Sequence, residues 1–180
     1  VEGVAREFGV DRNRVYAAGL SAGGAMSSIL GAAYPDVFAA IGVHSGLQYR
    51  AATGVGGAFT AMYTGGPDPL RGAEDVLRAM GSRKRALPVI VFHGSGDRTV
   101  VPVNAEGTVA QFAQVADLAL NGVDDDELSA RPTGQRQDRV PGGRSFTVFD
   151  HADAQGKTWL RRYEVEGMGH AWAGGSQRGS

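Results

Sequence analysis

The chain of 180 residues contains no cysteine. Disulfides and thiolate metal sites are thereby excluded, and redox compartment leaves no mark on the sequence. The absence argues only against a small stapled scaffold, and it suits either side of a bacterial membrane. Long hydrophobic runs are missing as well. No stretch approaches the roughly 18 apolar residues that a membrane helix needs, so membrane insertion is not expected. Charge of one sign is scarce: 18 Lys and Arg against 19 Asp and Glu leave a formal charge of −1. The longest basic block, Arg83-Lys84-Arg85, reads as decoration of an exposed connection, which makes nucleic acid a poor partner. No segment repeats at a fixed period.

What is present fits one globular domain. Hydrophobic residues at 42% and charged residues at 21% exclude a disordered chain. The length suffices to bury a sizeable core. The first methionine is Met26, which already lies inside a motif. The expectation is therefore a piece of a longer product, or a chain that has lost a leader.

Apolar spacing sets out the elements. Val1, Val4 and Phe8 mark a short helix stopped by Gly9. Arg14 to Leu20 is an apolar run typical of a buried strand, and Ala25 to Ala33 is rich in helix formers. Phe38 to Val43 reads as a second strand. From 47 to 86 glycine and proline break the pattern, leaving one helix from Arg71 to Met80; this insert is expected to be a lid or substrate-binding segment. Leu87 to His93 is the clearest buried strand. Asn104 is placed to cap a helix running to about Leu120. Residues 121–143 read as a polar surface excursion, and Arg144 to Phe149 and Thr158 to Val165 as strands. The alternation predicts an α/β fold with a mainly parallel sheet flanked by helices on both faces. In such sheets ligands sit beyond the carboxyl ends of the strands.

Ser21, Asp97 and His170 all fall at such ends. Gly19-Leu20-Ser21-Ala22-Gly23 is a G-x-S-x-G turn between a buried strand and a helix. A serine on that turn is held in a strained backbone conformation that requires small neighbours, which Gly19, Gly23 and Gly24 supply. The alternative is a glycine-rich helix start that binds an anion. A serine hydroxyl needs a base within hydrogen-bond reach. Four histidines are available: His44 and His93 at strand ends, His151 in a polar turn, and His170 in a glycine-flanked loop after the last strand. This kind of turn belongs to folds whose chain order is serine, acid, histidine, and that order selects His170. The base in turn needs an acid to fix its tautomer. Asp97, after the strand LPVIVFHG, is the candidate; Asp117, Asp150, Asp153 and the 124–126 run are the alternatives, as is a purely turn-capping role for Asp97. The backbone N–H of Ala22 is expected to be one oxyanion donor. The second normally comes from a loop after an earlier strand, and no such strand precedes Ser21. Losing one donor costs about 2.7–4 kcal/mol of transition-state stabilisation.

Val15-Tyr16, the run from Gly19 to Met26 and Tyr34-Pro35-Asp36-Val37-Phe38 resemble the polyhydroxybutyrate depolymerase-type esterases of the α/β-hydrolase superfamily. Phe92-His93-Gly94 with Asp97, Thr99 and Val100 resembles that family's acid segment. Gly167 to Trp172, followed by Gly174-Gly175, resembles its histidine segment. Feruloyl and acetylxylan esterases are related. The resemblance implies Ser21 as nucleophile, Asp97 as acid and His170 as base, with no metal or organic cofactor. It implies a secreted enzyme, and a chain that lacks the early strands, the oxyanion loop and a closing helix. Trp172, two residues beyond the base, is a candidate substrate-binding wall. Met168, Tyr49 and Tyr63 are weaker candidates that read as packing residues. The expected reaction is ester hydrolysis through an acyl-enzyme, on 3-hydroxyalkanoate polyester or its oligomers. Feruloyl or acetylxylan ester hydrolysis is the alternative. Acyl transfer to an alcohol and a catalytically incomplete binding module are further ones.

Overall fold

Alternation along each strand decides which side chains enter the core. Ile41 and Val43, Val89 and Val91, and Leu160 point to one side of a sheet and are buried. In the computed structural model, which describes residues 1–174, the order of elements is α1 (Glu2–Glu7), β1 (Tyr16–Leu20), α2 (Ala22–Ala33), β2 (Ala40–His44), α3 (Val55–Thr64), α4 (Pro69–Met80), β3 (Val89–Gly94), α5 (Val103–Asn121), β4 (Gly134–Arg139), β5 (Ser145–Ala152) and β6 (Thr158–Val165). The six strands form one sheet in the order β1-β2-β3-β6-β5-β4. The first four run parallel and the last two antiparallel. The fold is the expected α/β arrangement, with a mixed sheet.

The core lies on one face. Ala32 of α2, Ala73, Val76 and Met80 of α4, and Val109, Phe112 and Val115 of α5 join the strand residues in one apolar cluster. The opposite face carries Tyr16 and Ile90, which are 61% and 37% exposed. Helices on both faces were expected; among the described residues the three that share the core pack on one. The other face offers small or partly exposed side chains, Ala18 and Gly42 among them. No described helix is long and apolar enough to cross a membrane.

Three local readings change. Asn104 does not cap α5 but sits inside its first turn, where its Nδ2 donates to the carbonyls of Ala61, Met62 and Val101. A strand, β4, occupies 134–139 within the expected surface excursion; all six residues are exposed, so no apolar alternation marks it. The insert holds two helices instead of one. α4 starts two residues earlier than expected, capped by Asp68 through the Leu70 N–H, with Pro69 at the first helical position. Arg83 of the basic block donates to the Ala33 carbonyl at the end of α2, and Arg85 to the carbonyls of Pro35 and Ala39 in the segment that follows. Both are engaged with main chain and do not form a free cationic patch.

Candidate active site

Parallel pairing brings the carboxyl ends of β1, β2, β3 and β6 to one edge, and the candidate residues follow those ends directly. Ser21 links β1 to α2 with φ 58° and ψ −120°, a left-handed conformation that costs a non-glycine residue on the order of 1–3 kcal/mol. What holds it there is close packing. A Cβ on Gly19 would fall on the Gly23 backbone, and one on Gly24 would lie 3.0 Å from the carbonyl oxygens of Gly19 and His44. Gly23 differs from the expectation, because a Cβ there would meet nothing within 4 Å. Of these three, only Gly19 and Gly24 are sterically required. The Ser21 N–H donates to the His44 carbonyl at 2.9 Å, extending the β1–β2 ladder into the turn. The next bond in the helix is Ala25 N–H to the Ser21 carbonyl, so the Ala22 N–H stands at the open amino end of α2.

Asp97 follows β3 and is 3% exposed. Its Oδ1 accepts from the Thr99 and Val100 N–H groups at 2.9 and 3.0 Å. Its Oδ2 lies 2.8 Å from Nδ1 of His170, 73 residues away in the chain. Burial pushes its pKa up, but the bonds from His170, Val100 and Thr99 outweigh this and hold it below the usual carboxylate range. The turn-capping role considered for Asp97 is therefore real, and it coexists with the pairing to His170. The rival acids are engaged elsewhere. Asp117 receives the Asp125 and Leu128 N–H groups. Asp150 is paired with Arg136 and Arg161, and Asp153 accepts from Trp159 Nε1 and the Lys157 N–H. His151 donates from Nδ1 to the Ser129 carbonyl, on the far end of the sheet from Ser21.

Chain order sets His93 aside as the base, and the geometry gives it another task. Its Nε2 donates to the Val100 carbonyl at 2.7 Å and stands 3.5 Å from Asp97 Oδ2. It thus closes the loop of residues 94–99 that presents Asp97. Desolvation lowers its pKa and keeps the ring neutral. Gly94 is packed so tightly beneath the histidine loop that a Cβ there would fall on the Met168 carbonyl. Met168 itself is buried, and Tyr49 packs against the core. Tyr63 stands 57% exposed on α3. Trp172 is 47% exposed and meets His44 edge-on at 5.0 Å. Behind this loop an apolar cavity of about 330 Å³ is lined by Phe92, Phe146, Tyr163, Met168 and Ala173. Gly175 of the histidine segment lies outside the described residues.

The Asp97–His170 pair is closed at 2.8 Å, whereas no hydrogen bond among the described residues joins the Ser21 hydroxyl to His170. Such contacts are often long in a ligand-free site and tighten around the substrate.

Comparison with known proteins places the chain in a family. The chain is 33% identical over 172 residues to poly(3-hydroxyalkanoate) depolymerase C of Paucimonas lemoignei, covering 94% of this chain and 38% of that protein. It is 31% identical over 167 residues to feruloyl esterase B of Thermothelomyces thermophilus, covering 89% of this chain and 52% of that one. It therefore spans between two fifths and about half of these relatives. Among solved structures, an acetyl xylan esterase from Aspergillus awamori superposes with a TM-score of 0.68 at 23% identity, over 93% of this chain and 58% of that chain, a likeness of fold. The model of the Esterase PHB depolymerase family matches residues 1–141, and the chain belongs to that family.

Proposed function

We propose that this chain carries the catalytic residues of a serine esterase that hydrolyses carboxylic esters through an acyl-enzyme. The observation that carries the reading is the buried Asp97 carboxylate bonded to His170 Nδ1 at the strand edge where Ser21 is held at positive φ. Asp97 fixes the imidazole with its proton on Nδ1, which leaves Nε2 free to accept the Ser21 proton as Oγ attacks the ester carbonyl. His170 then donates that proton to the leaving alkoxide. Water, activated by the same imidazole, releases the acid. The Ala22 N–H faces the developing oxyanion from the amino end of α2. Trp172 walls the site on the His44 side.

The substrate reading is a 3-hydroxyalkanoate polyester or its oligomers, supported by the family and by the depolymerase relative. A second reading, a hydroxycinnamoyl ester, is favoured by the feruloyl esterase relative. Hydrolysis of p-nitrophenyl esters, 3-hydroxybutyrate oligomers and methyl ferulate by the complete protein tests both. Ser21→Ala is expected to abolish turnover on every ester while leaving the fold intact. An equally active Ser21→Ala protein would remove the assignment. Faster turnover of the ferulate than of the oligomer would move the substrate to the second reading.

A further inference from the structure

His44 ends β2 and takes no part in the reaction above, yet it touches both halves of the site. Its carbonyl accepts the Ser21 N–H at 2.9 Å. Its Nε2 lies 2.8 Å from the backbone nitrogen of Ala173, three residues past His170 and 129 residues from His44 itself. A backbone amide only donates, so Nε2 must be the acceptor and the ring proton must sit on Nδ1. Nδ1 faces the Ser45 hydroxyl at 3.2 Å, which takes that proton as acceptor. The ring is packed between Phe92, stacked at 5.8 Å with an 11° interplanar angle, and the edge-on Trp172.

We propose that His44 is a positioning residue that ties the Ser21 turn to the His170 loop through a neutral, Nδ1-protonated ring. The catalytic consequence rests on the esterase reading; the clamp itself rests on geometry alone. Ser21 and His170 arrive from elements far apart in sequence, and no other single residue bonds both the turn and the loop among the described contacts. Burial pushes the His44 pKa down to about 4, helped by His93 and His170 and opposed by Asp97, the charged and titratable groups that bear on it. A proton on Nε2 would set two donors against each other at Ala173 and release the loop.

The test uses the complete protein. Long-range proton–nitrogen correlation at pH 7 is expected to report His44 as the Nδ1–H tautomer. The assigned indole N–H resonance of Trp172 is expected to titrate with a midpoint of about 4 and to lose that step in His44→Gln. His44→Ala is expected to lower kcat about 100-fold, the scale of a misplacement near 1 Å, with KM little changed. His44→Gln, whose Oε1 can accept the Ala173 N–H, is expected to recover most of the loss. An Nε2-protonated or charged ring at pH 7, or a folded His44→Ala protein with wild-type kcat, would overturn the proposal. If His44→Ala fails to fold, the wild-type tautomer and the kcat of His44→Gln decide. If Ser21→Ala stays active while the tautomer and the titration hold, the esterase reading falls and the clamp stands.

Discussion

A buried carboxylate with two backbone donors on one oxygen and an imidazole on the other has a defined protonation task, and substitution can isolate it. In Asp97→Asn the amide oxygen can still receive Thr99 and Val100, while its NH₂ group meets His170 Nδ1. The base is then forced toward the wrong tautomer, and kcat is expected to fall about 10³–10⁴-fold with the circular dichroism spectrum unchanged. A loss below tenfold would take the acid role away from Asp97. Asp97 and His170 were legible in the sequence as candidates because each belongs to a strand-end loop with its own turn residues. The positioning role proposed for His44 was not, because its partners are a backbone N–H 129 residues away and a hydroxyl that fixes a proton position. Contacts to main chain leave no trace in side-chain spacing. The same reason hid His93, whose partner is the Val100 carbonyl.

At the scale of elements, the 47–86 insert divides into two parts with different physics. α4 is a core helix: Ala73, Val76 and Met80 are fully buried against α2 and α5. α3 turns Val55, Phe59 and Tyr63, spaced four apart, outward. Its attachment is polar, through Asn104 to the carbonyls of Ala61 and Met62 and the Val101 N–H to Met62. Tyr49, just before it, is held by both amide atoms of Gln111. Met80→Ala is therefore expected to cost about 2–5 kcal/mol in urea unfolding, as a buried deletion that leaves a cavity. Phe59→Ser is expected to change stability by less than about 0.5 kcal/mol and to raise KM for bulky esters. If Phe59→Ser leaves KM for every ester untouched, α3 does not face the substrate. α4 was partly legible because its apolar positions recur at helical spacing. α3, with the paired Gly56 and Gly57 and no side-chain cap, carries no start signal. β4 failed for a different reason: a two-sided polar edge strand is specified by its partner β5 and not by its own pattern.

Across the whole molecule, the unused histidines determine how it answers to acid. His44, His93 and His151 are each at most 3% exposed, and desolvation lowers the pKa of all three. In the unfolded chain each takes up a proton near the ordinary value of about 6.5. Between that value and the lowered folded values, unfolding therefore binds protons, and stability rises with pH. The contribution is complete above about 6.5 and is lost as pH falls toward the folded values, which for His44 is about 4. Asp97 and Asp150, both lowered in the fold, add a loss of the same sign at still lower pH. The chain as a whole is close to neutral at −1, so general charge repulsion adds little at pH 7. Urea unfolding at pH 7, 6 and 5 is expected to show a falling midpoint at constant slope, with unfolding taking up protons below about 6.5. Each histidine contributes by being buried neutral, so His44→Gln should remove about one of these protons, whether or not it also impairs the site. A midpoint that is flat from pH 7 to 5 would mean that these rings are not buried as neutral bases. It would then remove the acid lability and leave the His44 clamp to be decided by its tautomer.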